Sequence, residues 1–333
     1  MKIKIIDKNT EYMINLEPVT QLCGISFEKK HFIIKSLCKY FSSSKYEQYE
    51  NNMFENIRIN GEKTGRKYFS VLHISSREQL IQALNISKSS MAAQYLSCIY
   101  TKFSCQNIIE QIRENLDKLY LEINEEIQNK IGCIEIGHDT KNILEIIQSS
   151  NIFGINGNTL ESLSNMELLL VYINLLKEIQ KKSPYKTLII IENIDHLINY
   201  TDYQQIIKIM EKFSNSFDVW FIVSTSTEGY AILDNNLIEG INIINDYIFS
   251  FPDIEHTISF IKKRYPIETT LNETDIYENI LPIIQNIGRE NYKYHMRGNV
   301  LLKLFQNSIG IPVLFENLIG SIEKAFLLDK TVV

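Results

Sequence analysis

With 333 residues, 44% of them hydrophobic and 22% charged, the chain makes one large domain or two smaller ones and can bury a sizeable core, which excludes global disorder. No apolar run approaches the ~20 residues of a membrane span, and the start MKIKIIDKNT lacks the apolar stretch of a secretory leader, so a cytoplasmic protein without membrane contact is expected. The formal charge of −6 argues against a simple basic nucleic-acid binder, but residues 1–105 carry 15 Lys and Arg against 9 Asp and Glu, and residues 106–333 carry 19 against 31. That split reads either as a polyanion-facing part on an acidic body or as segregation on solvated faces.

In chain order, KIKII and YMINL alternate like the two strands of a hairpin, and VTQLCGI is a third strand ending at Gly24. From Phe27 to Tyr40 the apolar positions follow helical spacing. NIRINGEKTGRKYFSVLHI reads as two strands joined around Gly61 and Gly65, with Lys63, Arg66 and Lys67 at the turn. From Ser76 to about Gln128 the pattern is helical and polar, with Leu116, Leu119, Ile123 and Ile127 forming one apolar stripe. A helix over Asn165 to Lys181, the apolar strand TLIII, a helix capped by Thr201 or Asp202, and the strand DVWFIVSTS then alternate as in an α/β domain with parallel strands. Pro252 and Pro266 bracket one more helix, and the remainder reads as helical. The expected organisation is an α/β head from residues 1–75 and 151–265, a helical insertion at 76–150, and a C-terminal helical extension at 266–333. The five cysteines form no CxxC pair and are expected to be reduced core thiols.

The stretch GISFEKKH, residues 24–31, lies between a strand and a helix, where a phosphate-binding loop G-x-x-x-x-G-K-[ST] belongs. Lys30 takes the place of the phosphate-gripping lysine. Lys29 replaces the second glycine, whose lack of a Cβ lets the backbone approach phosphates, and His31 replaces the magnesium-binding hydroxyl. An ATPase of the ABC or chromosome-maintenance type needs three further parts in order. LSNME, at residues 163–167, takes the place of a glycine-bearing LSGGQ. LIIIEN puts Glu192 at the magnesium-side carboxylate but Asn193 where the catalytic base belongs, and FIVSTS puts Thr225 and Ser226 near the switch position. An amide cannot take a proton from water. The whole set, in order and each stripped of its reactive residue, reads as a degenerate P-loop NTPase head of ABC-like type that binds no nucleotide and is not an enzyme.

The stretches TQLCGI, NIRIN–GRKYF, ISKSSM, YINLLKEI, LIIIENIDHLI and DVWFIVSTS–GY together resemble the Csn family of type II-A CRISPR systems, the accessory proteins of spacer acquisition, in its longer subfamily. The resemblance implies a homotetrameric ring that threads double-stranded DNA ends, calcium that steadies the ring, and the acquisition integrase and effector nuclease as partners. Sequence-independent phosphate contacts need Lys and Arg on one face. The candidates are Lys29, Lys30, Arg58, Lys63, Arg66 and Lys67, which read equally as a solvated edge that blunts sheet aggregation. For calcium, which takes several oxygen ligands, CIEIGHD loosely matches the family's acidic segment. It offers Glu135 and Asp139, with Glu125 and Glu126 behind them, against the plainer reading of a solvated acidic face. Two competing functions stay open: an ATPase with a divergent loop, and a scaffold of the acquisition complex that needs no DNA.

Overall fold

The computed structural model describes residues 1–7, 10–42, 57–87, 90–131, 135–137, 150, 152–153, 157–226, 230–266, 273–289, 296–311 and 326. The chain divides into two compact units, one of Met1–Ser76 with Tyr185–Val333 and one of Arg77–Pro184. The sequence reading drew the end of the insertion at residue 150; the packing draws it at 184.

In the first unit, β1 (Lys2–Asp7) and β2 (Thr10–Asn15) pair antiparallel, as their alternation predicts. Ile3, Ile5 and Ile14 are buried on one face, and Lys2 and Lys4 fall on the other. β4 (Ile57–Ile59) joins β1, and the short β5 (Glu62–Lys63) joins β4, giving a sheet of order β2-β1-β4-β5. Asn60 and Gly61 turn between β4 and β5 with φ of +52° and +86°, the left-handed pair a two-residue hairpin turn requires. The second sheet has order β10-β9-β3-β8-β7-β6, built from β3 (Val19–Cys23), β6 (Ser70–Ile74), β7 (Thr187–Ile191), β8 (Val219–Ser224), β9 (Ile241–Ile244) and β10 (Ile248–Ser250). All its pairings are parallel except β9 with β10.

The segment 57–74 therefore holds three strands rather than the expected two, and they serve different sheets: β4 and β5 the first, β6 the second. β9 and β10 escape a reading by periodicity. INII is buried at every position, so it shows no alternation.

α1 (Phe27–Tyr40) matches its expected span and lies in one core with both sheets. Ile33, Ile34 and Leu37 share that core with Ile3 and Ile5 of the first sheet and with Leu188, Ile190 and Ile222 of the second. α6 (Tyr200–Ser214) is capped by Asn199, whose side chain accepts from the Asp202 N–H, rather than by the expected Thr201 or Asp202. A second core gathers Ile241, Ile243, Phe249 and Phe251 with α7 (Ile254–Arg264), α8 (Glu273–Ile280), the 3-10 turn Leu281–Asn286 and α9 (Met296–Ser308). The C-terminal region thus packs into the first unit's own core; residues 312–325 and 327–333 lie outside the described residues.

In the second unit, α2 (Arg77–Leu84) and α3 (Met91–Tyr100) pack on α5 (Asn165–Lys182). Ser164 and Glu167 close a capping box at the start of α5, which is what LSNME encodes. α4 (Phe103–Lys130) is 28 residues long, and Ile109 alone is buried among its described side chains. The stripe predicted on it is half-buried at Leu116 and Ile127 and exposed at Leu119 (50%) and Ile123 (37%). No helix among the described residues is long and apolar enough to cross a membrane.

Candidate nucleic-acid interface

The chain leaves β3 through Gly24, at φ +96°, and enters α1 at Phe27. A Cβ on Gly24 would lie 2.4 Å from the Ile244 carbonyl oxygen and 2.7 Å from Asn245 Oδ1, so only glycine fits this approach. The amides that would cradle a phosphate here already have protein acceptors. Gly24 N–H donates to Gln285 Oε1 at 2.6 Å, Ile25 N–H to Asn245 Oδ1 at 2.6 Å, and Ser26 N–H to the Ile244 carbonyl at 3.1 Å. Asn245 is held in turn by donating to the carbonyls of Gln285 (3.0 Å) and Ile287 (2.6 Å). The end of β9, the residue after it and Gln285 of the C-terminal region thus fill the cradle with neutral amide oxygens.

The two loop lysines follow the same pattern. Lys30 is 2% exposed, and its ammonium donates to the carbonyls of Gly24, at 2.7 Å, and Thr225; burial lowers its pKa. Lys29 is half-buried and donates to the carbonyls of Asn245 (2.9 Å) and Asp246 (2.6 Å). Expected among the DNA contacts, Lys30 is instead sealed inside the fold, and Lys29 is tied to its own chain.

Glu192 follows β7 and is 9% exposed, with Oε1 at 3.4 Å from His73 Nε2 and 3.6 Å from His31 Nδ1. Burial acts to raise its pKa, but His73 and then His31 outweigh that and hold the carboxyl below its ordinary value. Burial, with the Glu192 charge behind it, pushes the thiol of the half-buried Cys38 up to about 12, which keeps it protonated at neutral pH. Asn193 sits in the left-handed region at φ +49°, and its N–H donates to Ser224 Oγ at 3.1 Å. Asp195 accepts the Ser226 N–H at 2.8 Å. His73, Asn245 and Gln285 were missed in the sequence. None of the three leaves a local signal: His73 reaches Glu192 only because β6 pairs with β7, which sets His73 opposite Ile190.

Of the calcium candidates, Glu125, Glu126 and Glu135 are exposed, and Asp139 lies outside the described residues. Glu126 pairs with Lys130 at 3.3 Å, and Glu135 accepts from Gln128 Nε2 at 2.7 Å. No group of three His, Cys, Asp or Glu among the described residues stands where it could hold a metal ion.

Two of the remaining candidate cations, Arg58 and Lys63, converge with Lys4. Lys4 on β1 faces Arg58 on β4, and Arg58 faces Lys63 on β5, so three cations stand directly opposite one another across adjacent strands. They fall on the face away from Ile3, Ile5, Ile57 and Ile59. Lys4 is paired with Glu11 at 2.6 Å; Arg58 and Lys63 are exposed and have no acidic partner among the described residues. Arg66 and Lys67 lie apart from this row, on the connection from β5 to β6. Arg66 is half-buried and donates to the carbonyls of Tyr40 (3.2 Å) and Ser42 (2.6 Å); Lys67 is exposed.

In fold the chain is similar to the crystal structure of Stu0660 of Streptococcus thermophilus, with a TM-score of 0.84 and 19% identity over 98% of this chain and 99% of that one. More distant likenesses are the SmcHead bound to the C-winged helix domain of ScpA (TM-score 0.40, 13% identity, 76% of this chain and 94% of that one) and the recombination mediator protein RecF-ATP (0.36, 12%, 75% and 98%). No curated protein matches the chain by sequence. The family model of the CRISPR-associated protein Csn2, subfamily St, matches residues 7–280, most of the chain: this protein belongs to the Csn2 family of CRISPR-associated adaptation proteins.

Proposed function

We propose that the protein binds double-stranded DNA ends without regard to sequence and without catalysis, as a homotetrameric ring supporting spacer acquisition in type II-A CRISPR immunity. The row Lys4–Arg58–Lys63 carries this reading. Like charges directly opposite on neighbouring strands destabilise a sheet. A row without matching counter-charge among the described residues is what a polyanion would compensate, and phosphate contact needs no base readout. Lys67 is a further contact; Lys30, being buried, is not.

The head is read as a degenerate ABC-like P-loop fold. Supporting this are a cradle occupied by Asn245 and Gln285, a phosphate lysine bound to two carbonyls, and an asparagine at the base position. Calcium enters only through the family resemblance, and native mass with and without a chelator checks it.

The deciding experiment is a salt titration of duplex binding by the full chain and by Arg58→Glu/Lys63→Glu. The expected result is weaker binding of all duplex sequences alike and a log–log salt slope shallower by about 1 for each cation lost. An unchanged slope would move the contact surface elsewhere, and absence of duplex binding by the full chain would leave a DNA-independent scaffold as the better reading.

A further inference from the structure

A cavity of about 590 Å³ opens in the first unit beside the connection from β5 to β6. Its walls include Phe41 from the end of α1, Arg66, Lys67 and Tyr68 from the connection, and Tyr185 and Lys186 from the approach to β7. Three of these are cations, and none of its described lining residues is acidic. The wall is firmly built. The Arg66 guanidinium clamps the connection to the carbonyls that end α1. Phe69, buried, stacks edge-on against Phe41 at 5.3 Å and Tyr68 at 4.8 Å. The Lys186 carbonyl accepts the Ser70 N–H at 2.8 Å, which keeps Lys186 beside Tyr68, and its ammonium stands 4.6 Å over the Tyr68 ring. Lys67 and Lys186 are exposed.

Aromatic rings beside exposed ammonium groups, with no carboxylate among the described lining residues, match a ligand that has both a flat π-face and a negative charge. A nucleotide is such a ligand, and the volume lies in the range of sites that enclose molecules of that size. Stacking on an aromatic ring tolerates every base, because every base has a π-face. A paired base inside a duplex shows no free face; an unpaired base at its end does. We propose that this cavity receives an unpaired terminal nucleotide of DNA, its base against Tyr68 and Tyr185 and its phosphate on Lys67 and Lys186. The proposal rests on the DNA-end reading and deepens it, by naming which chemical form of end the protein prefers.

The test compares, on the full chain, a blunt duplex with the same duplex carrying a short unpaired tail whose last base is a fluorescent purine analogue. The tailed duplex is expected to bind about tenfold tighter, the value of one stacked base, with the analogue quenched on binding. Tyr68→Ala and Lys186→Ala should each remove the preference and the quench while lowering blunt-duplex affinity far less. Lys186→Ala changes only an exposed side chain, so it guards against a Tyr68 variant that fails to fold. Equal affinity for the two ends, or a preference that survives both variants, would overturn the proposal. So would inorganic phosphate competing as well as a short single strand, which would reduce the cavity to an anion crevice. Loss of blunt-duplex binding altogether would sink the DNA-end reading alone, because a short single strand still tests the cavity through Tyr68 and Lys186.

Discussion

Lys30 changes meaning once its surroundings are known. In sequence it is a phosphate ligand. In the fold its ammonium holds two backbone carbonyls together across the end of the sheet. Lys30→Met should therefore cost about 1–3 kcal/mol in denaturant unfolding, the penalty of leaving buried acceptors unpaired. Steady-state phosphate release from ATP by the unmodified chain should stay at background, and turnover abolished by Lys30→Ala would reverse the non-enzymatic reading. Glu192 makes a separate prediction. Its folded pKa is depressed below the ordinary 4.5, so its contribution to stability is complete above that value and is lost as pH falls through the depressed one. The groups facing it are His73, His31 and Cys38. Glu192→Gln should lower stability at neutral pH and flatten the acid side of the stability–pH curve; an unchanged acid limb would remove Glu192 from the balance.

The hairpin of β4 and β5 sets stability against binding. Arg58 stands between Lys4 and Lys63, so replacing it with Glu puts opposite charges on both sides of it. Arg58→Glu is thus expected to raise stability by about 0.2–1 kcal/mol while weakening DNA binding, checked by thermal melts beside duplex titrations. A variant that lost both would mean that Arg58 is structural. α4 teaches a different lesson at this scale. Its apolar stripe predicts an amphipathic helix and nothing more, and Leu119 and Ile123 stay substantially exposed in the isolated chain.

For the whole molecule, ring assembly predicts a stable tetramer by light scattering at micromolar concentration, and a monomer would remove the ring. A closed ring cannot be threaded by a closed circle, so linear duplex should bind far better than a covalently closed circle of equal length. Equal affinity would end the threading mechanism without touching the cation row, because phosphate contact needs no free end.

α1 was legible to its end residues, and the hairpin of β1 and β2, β7 and β8 were legible as elements though not all to their ends, because near-neighbour periodicity encodes them. Three features were not, and each rests on partners far apart in the chain. β5 is two residues long and exists only through its pairing with β4. The split of the basic segment between two sheets depends on β6 finding β7, more than a hundred residues away. The cradle is filled by Asn245 and Gln285, 220 and 261 residues from the amides they satisfy. A buried amide must find an acceptor, but its own neighbourhood does not say whether that acceptor is a phosphate or a distant side chain; the packing of the C-terminal region onto β9 and β10 makes that choice.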